Sequence, residues 1–237
     1  MLAAGRAFRH RAELRRTAVA LAEAVRPGVS GGAKAPPYIE STIGYPWPMV
    51  PLTLVLAILA APAVQAQTDL NTLFNQGQEW TTWLADVTTQ RTTWDTVVKQ
   101  ANPPEAMVDR LKAAGAGLRL LLVAEAACSD SMQSVPHIAA LAARAGIELR
   151  IVGKDAATAA LEGHRTPDGR TATPTLILVR DGKDAGAWVE RPEALQTWFL
   201  AQKGISRQEL LARKTSWYQW DRGTSTLAEI VALAERR

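Results

Sequence analysis

The segment that most narrows the possible folds is Leu118–Ala124, LRLLLVA, a mostly apolar run bounded by Gly117. A run of that kind fits a strand covered on both faces, as in sheets sandwiched between helices. Helical periodicity follows over Ser131–Arg144, then a second strand-like stretch over Ile147–Val152 and a short helix over 155–161. A third strand reads over Thr175–Val179 and a fourth over Ala185–Glu190. Asp181-Gly182 between them is a tight-turn signal, so these two pair as a hairpin. Pro192 then opens a helix over 192–202. The order βαβαββα predicts an α/β fold, a mixed central sheet flanked by helices.

Residues 67–103 predict a helical lead-in of one or two helices, with Phe74, Trp80, Leu84 and Val87 on one loose face and Trp83 and Trp94 scattered beside it. Asn102-Pro103-Pro104 breaks the chain, and residues 104–114 restart as a helix with Met107, Val108 and Leu111 on one side. Residues 104–203 form the predicted α/β domain and residues 204–237 a helical extension. In the extension, Ser206–Lys214 and Thr224–Arg236 read as helices, with Thr224 or Ser225 a candidate cap for the last one. Trp217, Tyr218 and Trp220 are most economically a face docking these helices on the core; a peptide-binding groove is the sharper alternative.

Ahead of the domain, residues 50–64 (VPLTLVLAILAAPAV) carry no charge and end near small residues at Val64-Gln65-Ala66. The run is short for a bilayer span of about 20 residues and has the look of a secretory signal, so residues 49–66 are read as signal-like. Residues 1–48 are Arg-rich, then Gly- and Pro-rich, and suit no packed core. The expectation is a start-site artefact or disordered leader, with translation beginning near Met49 and export to the periplasm or outside the cell. An unusually long n-region or an uncleaved membrane anchor is the alternative.

The formal charge of +4 suggests a nucleic-acid partner until the chain is divided. Residues 1–66 hold seven Lys/Arg and three Asp/Glu; of totals of 27 and 23, that leaves 20 of each sign in residues 67–237. A net-neutral domain without a basic, aromatic-interleaved patch argues against nucleic acid. One cysteine and three histidines exclude a disulfide framework and a cysteine-rich metal site, so neither metal nor cofactor is expected.

That one cysteine, Cys128, sits in Ala127-Cys128-Ser129-Asp130-Ser131, where the first strand gives way to a helix. Unpaired N–H groups and the macrodipole at a helix start stabilise an anion, and a thiolate is the nucleophilic form of cysteine. Ser131 is placed to donate its hydroxyl to the sulfur, whereas a carboxylate at Asp130 works against a second negative charge. The plainer reading is a small residue in a tight turn, with Ser129 or Asp130 as an ordinary cap.

This stretch resembles the thioredoxin superfamily, whose members carry Trp-Cys-x-x-Cys after the first core strand, a proline eight residues past the first cysteine, and a cis proline before the third core strand. Cys128, Pro136 and Thr173-Pro174 stand at those positions. A bacterial branch with Trp-Cys-Gly-Asp-(Ala/Ser) is more similar still, through Cys128, Asp130, Ser131, Gly169-Arg170 and the C-terminal Trp217, Tyr218, Asp221, Gly223, Ser225 and Thr226. The resemblance implies a thioredoxin-like fold over about 105–203. It makes Cys128 the catalytic position and Thr173 and Pro174 the substrate-facing pair, with Ser129, Asp130, Ser131 and Pro136 in support. The departures are Ala127 for Trp, Ser129 for Gly, and Ser131 for the resolving cysteine.

Without a second thiol no internal disulfide closes, so dithiol exchange is excluded. What remains is monothiol exchange with protein or low-molecular-weight thiols and disulfides, or a redox-inactive module that keeps the peptide groove. Peroxidatic chemistry is disfavoured because Glu125 stands where peroxiredoxins keep a threonine. His137, just past Pro136, reads as a surface or satisfied histidine; His164 and Glu162 read as part of a solvated loop over 162–172. Arg170 is either an anion-attracting residue or half of a structural ion pair.

Overall fold

A computed structural model describes residues 69–236. The expected leader (1–48), the signal-like segment (49–66) and the first two residues of the helical lead-in (67 and 68) lie outside them. Three short helices come first: α1 (Leu70–Gln76), α2 (Trp80–Asp86) and α3 (Arg91–Gln100). Then follow α4 (Glu105–Ala114), β1 (Leu118–Val123), α5 (Ser129–Ala145), β2 (Leu149–Val152), α6 (Thr158–Glu162), β3 (Thr175–Arg180), β4 (Lys183–Val189) and α7 (Glu193–Ala201). The chain ends with α8 (Arg207–Asp221) and α9 (Thr224–Ala234). Among the described residues no helix is long and apolar enough to cross a membrane.

The sheet order is β2-β1-β3-β4, with β1 parallel to β2 and antiparallel to β3. The continuous apolar character of β1 has the expected cause, since successive side chains enter opposite layers. Leu118, Leu120 and Leu122 pack with α3, α4, α5 and α9 residues, whereas Leu121 and Val123 pack with Leu70, Leu73 and Phe74 of α1 and Leu161 of α6. Asp181 and Gly182 both have positive φ (50° and 78°), the conformation a two-residue hairpin turn of the primed kind requires.

The lead-in contains three helices rather than one or two, and a backbone pairing explains the extra break. Gln78 bridges Ile151 on the outer edge of β2 with two N–H···O bonds of 2.8 Å. That covers part of an edge that would otherwise present unpaired groups. Gly77 permits the approach, because a Cβ there would lie 2.7 Å from Cβ of Arg150. The break also splits the expected aromatic face: Phe74 goes to one side of the sheet, and Trp80, Trp83 and Trp94 cluster on the other. Trp83 and Trp94 meet edge to face at 5.2 Å, and Trp94 is fully buried.

The C-terminal extension also differs from expectation. Helix α8 continues to Asp221 instead of stopping near Lys214, because Lys214, Tyr218 and Asp221 form a buried face. Ser206 caps its start, accepting from the N–H of Glu209 at 3.1 Å. Neither Thr224 nor Ser225 caps α9 from its own side chain: the cap position is Gly223, at φ 76°. Asp221 does that work from the preceding helix, accepting from the N–H of Ser225 at 3.1 Å and from its hydroxyl at 2.6 Å.

Gly223 also lets α5 approach, since a Cβ there would lie 2.4 Å from Cγ of His137. Gly223→Ala is therefore expected to cost about 3 kcal/mol in chemical denaturation, combining overpacking with left-handed backbone strain. Gly146→Ala shares the positive φ (70°) but meets nothing within 4 Å. It is expected to cost only about 1 kcal/mol. Equal costs would show that the contact with His137 is irrelevant.

Candidate functional site

The chain leaves β1 at Val123 and reaches α5 through Ala124–Cys128. Cys128 occupies the cap position, its carbonyl accepting the first helical bond from the N–H of Met132 at 3.0 Å. Its half-buried Sγ lies 3.1 Å from the carbonyl oxygen of Thr173, to which the thiol donates. Thr173-Pro174 is cis. The segment is fixed from both sides: the Pro174 carbonyl accepts from the N–H of Glu190 at 2.7 Å, and the Thr175 hydroxyl donates to the carbonyl of Ala172 at 2.8 Å. Residues 45 apart in sequence thus meet at one end of the sheet.

The loop before the sulfur is held without a tryptophan at Ala127, which is exposed. Trp94 of α3 supplies an indole from elsewhere, its Nε1–H donating to the carbonyl of Ala126 at 3.2 Å. Glu125 accepts from the N–H of Lys154, just past β2, at 2.7 Å. Pro136 lies buried in α5, where it supplies no N–H to the helical ladder.

Asp130 is where the structure departs most from the sequence reading. Its carboxylate is buried, 5% exposed, and four donated hydrogen bonds converge on it. Arg191 gives two, from Nε and Nη2, both at 3.2 Å. Lys214 Nζ gives one at 2.7 Å, and the Tyr218 hydroxyl one at 2.8 Å. An isolated carboxylate at that depth would be very costly; paired and fully bonded, it is tolerated. Arg191 in turn bonds Glu190 at 2.8 Å and Gln196 at 2.9 Å and lies over the Phe199 ring, 4.0 Å from its centre. Asp130, Glu190, Arg191 and Lys214 are all buried, and their formal charges cancel. Asp130 is therefore not the uncompensated negative neighbour expected beside the sulfur.

Two further expectations fail here. Ser131 does not donate to the sulfur: its hydroxyl is fully buried and has no hydrogen-bond partner. Neither Ser129 nor Asp130 caps α5. Ser129 is exposed, and its hydroxyl oxygen accepts from Lys214 Nζ at 2.9 Å. Glu190, Arg191 and Lys214 were not legible as site residues. The one available signal was the i, i+4, i+7 spacing of Lys214, Tyr218 and Asp221 on an otherwise polar helix.

Among the remaining candidates, Arg170 bonds Asp168 at 2.6 Å and Glu190 at 3.3 Å, the ion-pair alternative. Hydrogen bonds from Arg170 first, then Thr166, hold the Asp168 carboxyl at about 2. His164 is paired with Asp184 at 2.7 Å. Of the aromatic trio, Tyr218 docks the extension and Trp217 leans on it, ring centres 5.5 Å apart. Trp220 does not dock, being 79% exposed.

Burial, then the Asp130 charge, pushes the Tyr218 hydroxyl well above its ordinary range, so it stays a donor. Tyr218→Phe is expected to lower stability by about 2 kcal/mol in urea at pH 7, the worth of a hydrogen bond to a charged group; no change would mean Arg191 and Lys214 suffice. His137, 3% exposed, is held below its usual 6.5 by burial, partly offset by Asp221. A depressed value means the folded form resists protonation, so this stability is present above pH 6.5 and lost as pH falls below it. His137→Gln is expected to flatten the decline of urea midpoint between pH 7 and 5; an unchanged slope would assign that decline to other groups.

Known proteins place the fold. No curated protein matches the chain. A solved Pseudomonas aeruginosa protein of unknown function aligns at 22% identity and a TM-score of 0.53, covering 69% of this chain and 95% of that one. An HIV epitope scaffold aligns at 20% identity and 0.55, covering 70% and 98%. At these identities the two structures speak for the fold alone. A family model described as thioredoxin matches residues 77–209, more than half of the chain, and on that match the chain belongs to the thioredoxin family.

Proposed function

We propose that the protein is an exported, single-cysteine member of this family that carries out monothiol exchange through Cys128. The observation that carries the reading is the seat of Sγ, half-buried at the start of α5 and 3.1 Å from the Thr173 carbonyl beside Pro174. The Cys128 thiolate attacks a disulfide R–S–S–R′, forming Cys128–S–S–R and expelling R′–S⁻. A thiolate R″–S⁻ from an external thiol then attacks the Cys128-bound R sulfur, giving R–S–S–R″ and restoring the Cys128 thiolate. Electrons pass from the external thiol to the substrate disulfide, and the protein ends unchanged. Protein or low-molecular-weight thiols and disulfides are the partners, Thr173 and Pro174 forming the wall they meet, and no cofactor or metal takes part. The bacterial Cys-x-Asp-(Ala/Ser) branch is the proposed affiliation, and the apolar run in residues 49–66 supports export to the periplasm or beyond.

A second reading, a redox-inactive peptide-binding module, draws on Ser131: a fully buried hydroxyl stands where dithiol members keep the thiol that releases substrate. One experiment separates the two. The purified protein is incubated with a mixed peptide–glutathione disulfide and reduced glutathione. Catalytic release of peptide, abolished in Cys128→Ser, is the expected result. Release no faster than without protein, together with unchanged peptide binding by Cys128→Ser, would establish the binding module.

A further inference from the structure

We propose that Lys214, on α8 of the C-terminal extension, is a positioning residue for the Cys128 thiol and keeps the buried charge next to it in the chain balanced; this rests on the monothiol reading. Lys214 Nζ bonds both residues that follow the cysteine, Ser129 Oγ at 2.9 Å and Asp130 Oδ2 at 2.7 Å. It is itself 3% exposed, so its charge acts through a poorly screened interior. Its carboxylate partner Asp130 comes from α5 and is shared with Tyr218 of α8 itself and with Arg191, which with its own partner Glu190 lies in the turn between β4 and α7. Arg170, from the loop before Pro174, faces Glu190 and is shared with exposed Asp168.

The four buried ions sum to zero. Losing the ammonium leaves one uncompensated carboxylate two residues from the sulfur, and losing the Asp130 charge leaves one uncompensated cation there. The sulfur must become negative to react, so the two losses push its reactivity in opposite directions. Packing alone does not give opposite signs. The arrangement also gives the C-terminal extension a role in the site, since it is the element that brings Lys214 to the start of α5.

The test is the alkylation rate of Cys128 by iodoacetamide, a neutral reagent, in the full chain from pH 6 to pH 10. Lys214→Met is expected to slow the rate at pH 6.5 by on the order of tenfold and to converge with the unmodified protein at pH 10. Asp130→Asn is expected to raise the rate at pH 6.5 by a similar factor. Lys214→Arg keeps the charge and is expected to stay within about twofold of the original. The double variant Asp130→Asn/Lys214→Met restores neutrality and is expected to recover most of the rate, which also keeps the test decisive if Lys214→Met alone folds poorly. Both single variants slowing at every pH, or a double variant slower than either, would overturn the proposal. Because alkylation needs no exchange partner, that failure is distinct from absent peptide release, which bears on the monothiol reading itself.

Discussion

The carboxylate of Asp130 is the point around which the site end of the molecule is organised. It is buried two residues past the cysteine, and its four donated hydrogen bonds come from two elements remote in sequence. Arg191 fixes the turn after β4, which carries the backbone bond to Pro174 one residue earlier. Lys214 and Tyr218 fix α8. A charge at that depth is tolerated only while all its partners are in place, so the cysteine turn, the Pro174 segment and the extension are held together by one constraint. Removing Arg191 or Lys214 leaves an unpaired charge, which costs far more than the intact pair contributes.

The thioredoxin-like sheet supplies the scaffold for this constraint. The crossover from β1 through α5 to β2 places the start of α5 at one end of the sheet, and β3 begins there too, immediately after Pro174. The lead-in stabilises the same end from beneath: Trp94, fully buried, bonds the carbonyl of Ala126 and anchors the loop that lacks the family's tryptophan at Ala127. An indole from an N-terminal helix thus bonds the loop directly ahead of Cys128.

The sheet was legible because its signals are local. The unbroken apolar run at Leu118–Val123 and the Asp181-Gly182 turn each state their conformation within a few residues, and the position of Cys128 relative to Thr173-Pro174 followed from the family resemblance. The charged half of the site was not legible. Nothing local to Asp130 shows that Arg191, 61 residues on, and Lys214, 84 residues on, converge on it. Polar residues on a helix read as solvent-facing by default, so nothing local signals the buried polar face of Lys214, Tyr218 and Asp221 that carries α8 on to Asp221. The break at Gly77 was hidden for a similar reason: it answers to the close approach of Arg150 on another strand.

If one buried carboxylate joins these elements, the first turn of α5 and the middle of α8 open together. Native-state hydrogen exchange reads this directly, as the opening free energies of the Met132 and Tyr218 amides under increasing low denaturant. The expected result is that the two amides merge into a single opening unit. Exchange of Tyr218 through a separate, less stable opening, with Met132 still protected, would contradict the central role given to Asp130.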